Sequence, residues 1–185
     1  MGGFTSKPIT PDEALVARYL TAQDKTLLMN CWTDIERKDG VDKFATDMGK
    51  VVFCNLFNKF PHVLQMFDHF KEDPNWVGNR RFLHHCKIFI TIIGSYIKLL
   101  NRPEELTHHV KFLGNQHLFF RINRAHFSLA KVEFADAVAQ SFPPEVLTPE
   151  LRHAWLQLFD LLSEIMLNAM GTLADLVDED QPHAP

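Results

Sequence analysis

Several features that mark other classes of protein are scarce in this sequence. It holds three cysteines, Cys31, Cys54 and Cys86, without a C-x-x-C pair, which argues against a disulfide framework and a structural zinc site. No apolar run reaches the roughly 18 residues expected of a membrane-spanning helix. A basic run is also absent and the net charge is -4, which disfavours nucleic acid as the main partner. The N-terminus lacks the positive-then-apolar pattern of a signal peptide, which predicts a cytoplasmic protein.

Strand signals and common hydrolase motifs are missing as well. There is no sustained alternation of apolar and polar residues, and no hairpin dipeptide between alternating runs. Neither an HExxH motif nor a nucleophile elbow is present. What the sequence does have is 16 phenylalanines against two tyrosines. Phenylalanine adds aromatic bulk without a polar group that needs a partner, so this ratio suits a large dry interior or a flat apolar ligand.

Apolar residues recur at helical spacing along most of the chain. The pattern predicts helices over residues 21–38, 41–59, 80–100, 104–120, 125–140 and 148–177, with a short helix opened by Pro61. Six to eight helices in irregular succession indicate an all-α globule. We expect a flexible N-terminal extension over 1–20, one helical domain over 21–178 and a C-terminal tail over 179–185.

The first residues, MGGFTS, match the pattern for myristoylation of Gly2, with Ser6 in the favoured position. A single myristoyl chain gives marginal, reversible attachment to a membrane. The sequence therefore leaves weak membrane association through Gly2 open beside a freely diffusing cytoplasmic form.

Two of the ten histidines stand in apolar surroundings. His85 lies one turn from both Phe82 and Phe89, and His117 lies within the run FLGNQHLFFRI. A buried imidazole without a partner costs about 1–3 kcal/mol. The helix that carries His85 runs about 23 Å onward before Pro103 turns the chain back, which can bring His117 opposite His85. The pair can hold one buried metal or form two core histidines bonded to backbone carbonyls, and composition alone favours the second.

The run LFNKFPHVLQMFDHF at 56–70 resembles the globin signature around the second and third helices and the corner that follows. In that family a proline opens the short helix, as Pro61 does here. A phenylalanine that packs flat on the haem matches Phe67, and a second corner phenylalanine matches Phe70. The last two helices, including Trp155, are also similar to those of globins. The resemblance covers roughly residues 20–178.

The resemblance extends to both histidines. RRFLHHCKIF is similar to the distal stretch of neuroglobin-like members, with His85 at the distal position. FLGNQH places His117 at the proximal position and Leu113 one turn before it. The two histidines are 32 residues apart, a spacing that resembles neuroglobin and invertebrate globins, nematode members among them.

The resemblance implies a globin fold around haem b. His117 would then be the proximal iron ligand, and His85 the distal ligand or a residue that gates an external ligand. The neighbouring His84 is the rival for the distal position, but the apolar stripe favours His85. The residues expected to line the pocket are Phe67, Phe53, Phe89, Leu113, Ile122 and Phe127.

The distal side decides the activity of such a haem. Phe53 and Phe89 are bulky and offer no hydrogen bond, which favours coordination by His85 and a bis-histidyl, six-coordinate iron. Electron transfer with a redox partner protein, or oxygen sensing, would follow. The alternatives are reversible binding of O2 or another diatomic ligand at a five-coordinate haem, for transport or storage, and a haem-free interaction module. Peroxidase- or reductase-like activity is less favoured, because no acid-base pair stands beside His85.

Overall fold

The computed structural model describes residues 8–38 and 40–179, with side chains described as far as residue 171. Over these ranges the chain is helical and contains no strand, which confirms the all-α prediction. Gly2 and Ser6 of the acylation pattern, and residues 180–185 of the expected tail, lie outside the described ranges. The helices are α1 (Pro11–Tyr19), α2 (Ala22–Lys38), α3 (Val41–Lys59), α4 (Pro61–Leu64), α5 (Arg80–Ile97), α6 (Pro103–Leu118), α7 (Arg124–Ser141) and α8 (Pro149–Glu179).

The helix boundaries follow from local side-chain chemistry. Pro61 and Pro103 open α4 and α6, where the missing N–H costs nothing. Asn79 and Asn123 cap α5 and α7 by accepting hydrogen bonds from the first backbone N–H groups of each helix. Gly40 separates α2 from α3 with a φ of 70°, a left-handed conformation that favours glycine. These signals explain why the predicted boundaries of α2 to α8 lie within a few residues of those in the structure.

Residues 11–19 differ from the expected loose extension, because they form α1. A capping box explains the helix: Thr10 Oγ1 accepts from Glu13 N, and a Glu13 carboxylate oxygen accepts from Thr10 N at 2.7 Å. Val16 is fully buried, and α1 packs against α6 and α8. The buried domain therefore begins earlier in the chain than the apolar periodicity indicates.

α5 and α6 each pack on a different helix. α5 packs on α3, and the two backbones approach so closely that a Cβ on Gly49 would lie 2.2 Å from the carbonyl oxygen of Cys86. α6 packs on α8, where Gly114 faces the backbone of Met166. α5 and α6 do not form one of the packed helix pairs of the described chain. Tyr96 donates a 3.4 Å hydrogen bond to the carbonyl of His109 near the corner that joins them.

Candidate functional site

The side chains along α5 differ in how deeply they are buried. Phe82, Cys86 and Ile90 are completely buried and form the contact with the core. His85 and Phe89 lie beside them on the helix and are half-buried. The sequence stripe groups Phe82 with His85 and Phe89, and the structure places all three against phenylalanines of α3. They differ in burial, since His85 and Phe89 keep part of their surface exposed.

Aromatic rings surround the His85 imidazole. The ring centroids of Phe53 and Phe67 lie 4.7 Å and 5.1 Å from that of His85, both in edge-to-face geometry. Phe89 contacts Phe53 at 5.2 Å. Phe57, which the sequence analysis did not single out, supports Phe67 from behind at 4.9 Å. Its position four residues after Phe53 on α3 is the signal that would have identified it.

His85 is a neutral imidazole at physiological pH. Burial lowers its pKa to about 4, and the charges of His117 and His84 also lower it. His84 is exposed to solvent on the other side of the helix, as expected of the less favoured candidate. A neutral imidazole is the form that binds a metal ion. No hydrogen bond to His85 occurs within the described ranges, so its ring nitrogens have no competing protein partner.

His117 lies in the last turn of α6, and its orientation is set by its own helix. Nδ1 donates a 2.8 Å hydrogen bond to the backbone carbonyl of Leu113, one turn earlier. With the proton on Nδ1, the lone pair is on Nε2, which is the arrangement of an imidazole that ligates a metal. Burial lowers the pKa of His117, and the hydrogen bond to Leu113 opposes that shift.

His85 and His117 thus lie on different helices. α5 packs on α3, α6 packs on α8, and α5 and α6 are not a packed pair. His117 is among the causes that lower the pKa of His85, which agrees with a location of both side chains in the same region of the fold. The donor set is a pair of neutral imidazoles among phenylalanine rings, with no carboxylate beside them. This set fits an iron porphyrin, whose iron accepts axial imidazoles and whose ring suits apolar walls. It does not fit Mg²⁺ or Ca²⁺, which require oxygen ligands.

The other predicted pocket residues are less closely associated with the histidines. Ile122 is half-buried in the turn after α6. Phe127 lines a separate cavity of about 250 Å³ with Tyr19 and Glu164, at the junction of α1, α7 and α8. Neither residue makes a described ring contact or hydrogen bond with either histidine. Their contact with a cofactor stays a prediction.

The cysteines are free thiols in the structure. Burial raises the pKa of Cys31 to about 11 and that of Cys86 to about 12, so both are protonated. Over the described residues no group of three or more His, Cys, Asp or Glu side chains could hold a metal ion. The histidine pair is therefore the feature of the described chain with metal-binding chemistry.

An all-α fold with two largely buried imidazoles on α5 and α6, the first of them among phenylalanine rings, is typical of the class of haem-binding helical proteins. The globin family model matches residues 50–166, and the chain belongs to the globin family. Haem b is the cofactor of that family, and the protein is a haem-binding globin.

Among similar proteins, neuroglobin of Danio rerio is 24% identical over 150 residues, which cover 80% of this chain and 90% of the relative. Cytoglobin-1 of Oryzias latipes is 21% identical over 150 residues, covering 79% and 81%. A solved structure of a hexa-coordinate haemoglobin from Drosophila melanogaster superposes with a TM-score of 0.67 at 20% identity, covering 80% of this chain and 93% of that one. Within the described ranges, none of the helices is long and apolar enough to cross a bilayer.

Proposed function

We propose that His117 and His85 ligate the haem iron from opposite sides, and that the resulting six-coordinate globin acts in electron transfer or oxygen sensing. The observation that carries this proposal is the pair of neutral imidazoles, one on each of two helices that are not packed together.

The chain's own groups fix both imidazoles. The Leu113 carbonyl holds the tautomer and orientation of His117 and increases its basicity as a ligand. Phe53 and Phe67 restrict rotation of the His85 ring through their edge-to-face contacts. The same rings exclude water and offer no hydrogen bond to a small polar ligand. His85 is therefore the side chain available to ligate the iron from this side of the haem.

Haem supplies one-electron chemistry and an affinity for diatomic ligands. An external ligand has to compete with His85 for its position. If His85 is dissociated about 1% of the time, the apparent affinity for that ligand falls about a hundredfold. Such a protein suits electron exchange with a partner protein, or ligand sensing, better than bulk oxygen transport. The Drosophila structure is described as hexa-coordinate, which supports this coordination as one compatible with the fold.

The absorption spectrum of the reduced, ligand-free protein tests the coordination. We expect a six-coordinate low-spin spectrum for the wild type and a five-coordinate high-spin spectrum for His85→Leu. His84→Leu, which changes the exposed neighbouring histidine, is the matched control and is expected to keep the wild-type spectrum. A high-spin wild-type spectrum would contradict six-coordination and assign reversible ligand binding instead. Absence of a Soret band after haemin addition would identify the protein as a haem-free interaction module.

The proposal places the protein in the cytoplasm, with weak membrane attachment when Gly2 carries a myristoyl group. Its support is the N-terminal pattern alone. Intact-mass spectrometry after co-expression with an N-myristoyltransferase tests it, with Gly2→Ala as the control. An unmodified wild-type mass would overturn it.

A further inference from the structure

The residues from 106 to 132 contain no aspartate or glutamate, although the whole chain carries a net charge of -4. The same segment holds four cations and four histidines. Lys131 is neutralised by Asp160 at 2.6 Å. Lys111, Arg121 and Arg124 have no ion pair with any described residue. The second half of α6 and the turn after it are therefore positively charged in an otherwise acidic protein, whereas the first turn of α6 carries Glu104 and Glu105.

Three exposed phenylalanines lie on this same surface. Phe112 is 63% exposed, Phe119 is 78% exposed and Phe120 is 56% exposed. They are the aromatic members of the exposed large apolar side chains in the described ranges. Solvent exposure of three large rings in one segment is unusual for a protein that buries most of its phenylalanines.

Helix geometry places two of these rings side by side. Phe112 and Phe119 are seven residues apart, and Phe119 keeps helical angles at the end of α6, so both project from nearly the same side. That side is away from Val110 and Gly114, which are buried toward the core. We call Lys111, Phe112, Phe119, Phe120 and Arg121 the aromatic-basic patch.

We propose that the aromatic-basic patch binds the surface of an anionic phospholipid bilayer. Protruding rings without a polar group suit insertion at the boundary between headgroups and acyl chains. Lys111 and Arg121 flank the rings in sequence and can reach lipid phosphates through their long side chains. The absence of carboxylates over the segment removes repulsion from such a surface. This inference goes beyond the proposed function and needs neither six-coordination nor acylation.

Sedimentation with phospholipid vesicles tests the patch. The sample is the full-length, haem-loaded protein without acylation, so that Gly2 contributes nothing. We expect binding to phosphatidylcholine vesicles that contain phosphatidylserine, and little binding to phosphatidylcholine alone. Raising the salt from about 0.1 M to about 0.5 M is expected to weaken the binding severalfold, because the Debye length shortens.

Two substitutions address the two parts of the patch. Phe112→Ser is expected to reduce partitioning about tenfold by removing an inserted ring. Arg121→Glu is expected to reduce it by about fivefold or more, since each cation near an anionic surface contributes roughly this factor. Ile9→Ser and Arg152→Glu change exposed residues outside the patch and are the matched controls. An unchanged Soret band confirms that each variant keeps its haem site.

Three outcomes would overturn the inference. The first is failure of the wild type to bind phosphatidylserine vesicles. The second is binding that Phe112→Ser and the control Ile9→Ser reduce equally. The third is concentration-dependent dimerisation, or retention by a soluble acidic protein, that Phe112→Ser abolishes while vesicles are not bound. That result would assign the patch to protein contacts.

Discussion

The close approach of α3 and α5 at Gly49 allows a quantitative test of how His85 is positioned. In Gly49→Ala the new Cβ would lie 2.2 Å from the carbonyl oxygen and 2.8 Å from the Cα of Cys86. Backbone atoms cannot move aside by changing rotamer, so α5 has to shift away from α3. Overpacking of this kind costs about 1–3 kcal/mol. The higher helix propensity of alanine returns at most about 1 kcal/mol.

The free energy of unfolding measures the stability part of this prediction. Urea titration followed by far-ultraviolet circular dichroism is expected to show a net loss of about 1 kcal/mol for Gly49→Ala. Gly171→Ala is the matched control: its added Cβ would meet nothing within 4 Å, and it too lies inside a helix. That variant should gain about 0.5–1 kcal/mol from propensity alone.

The coordination part of the prediction concerns His85, which precedes Cys86 in α5. A shift of α5 moves His85, so the ferrous spectrum of Gly49→Ala is expected to contain a larger high-spin fraction than the wild type. Gly171→Ala should keep the wild-type spectrum. If Gly49→Ala is as stable as Gly171→Ala and has an unchanged spectrum, the backbone contact does not determine where His85 lies.

Three further predictions concern other groups. The haem-free protein should lose stability as the pH falls from about 6.5 toward 4, because the unfolded chain binds a proton at His85 in this range while the folded chain, with a His85 pKa of about 4, does not. In urea titrations the free energy of unfolding should fall by roughly 3 kcal/mol. The fall should be smaller in His85→Leu. Thr10→Ala should lower the free energy of unfolding by about 1 kcal/mol through loss of the α1 cap, and an unchanged value would mean that α1 adds nothing to the fold. Neither tyrosine should ionise near pH 10 in the native protein. A hydrogen bond to Glu164 raises the pKa of Tyr19 to about 12, and burial raises the pKa of Tyr96. One equivalent of tyrosinate in the ultraviolet spectrum near pH 10 would contradict this prediction.

Local signals predicted most of the helices, since caps and prolines act over a few residues. The boundaries of α3, Val41–Lys59, agree with the structure because Gly40 and the Phe60-Pro61 pair delimit them. Apolar periodicity does not reveal α1, because its nine residues show weak amphipathicity. Its local signal is the capping box of Thr10 and Glu13, which lies among the prolines that indicate a loose extension.

Long-range packing was harder to obtain from the sequence. Periodicity placed Phe82 and His85 on one stripe, but it could not say that Phe82 would be fully buried while His85 keeps part of its surface exposed. Phe127 is expected at the haem pocket; the structure shows that it lines a cavity with Tyr19 and Glu164, and its contact with haem stays a prediction. The position of α1, which forms part of that cavity, depends on contacts between residues more than a hundred positions apart.

If His117 is the proximal ligand as proposed, its hydrogen bond to Leu113 ties the electronic character of that ligand to the main chain of a single helical turn. In many metal sites a carboxylate side chain has this role, and substitution can replace it. Here no side-chain substitution at the acceptor can remove the carbonyl. Changes in the reduction potential would then arise by bending or fraying the last turn of α6. Any partner that binds this turn would therefore change the reduction potential of the iron.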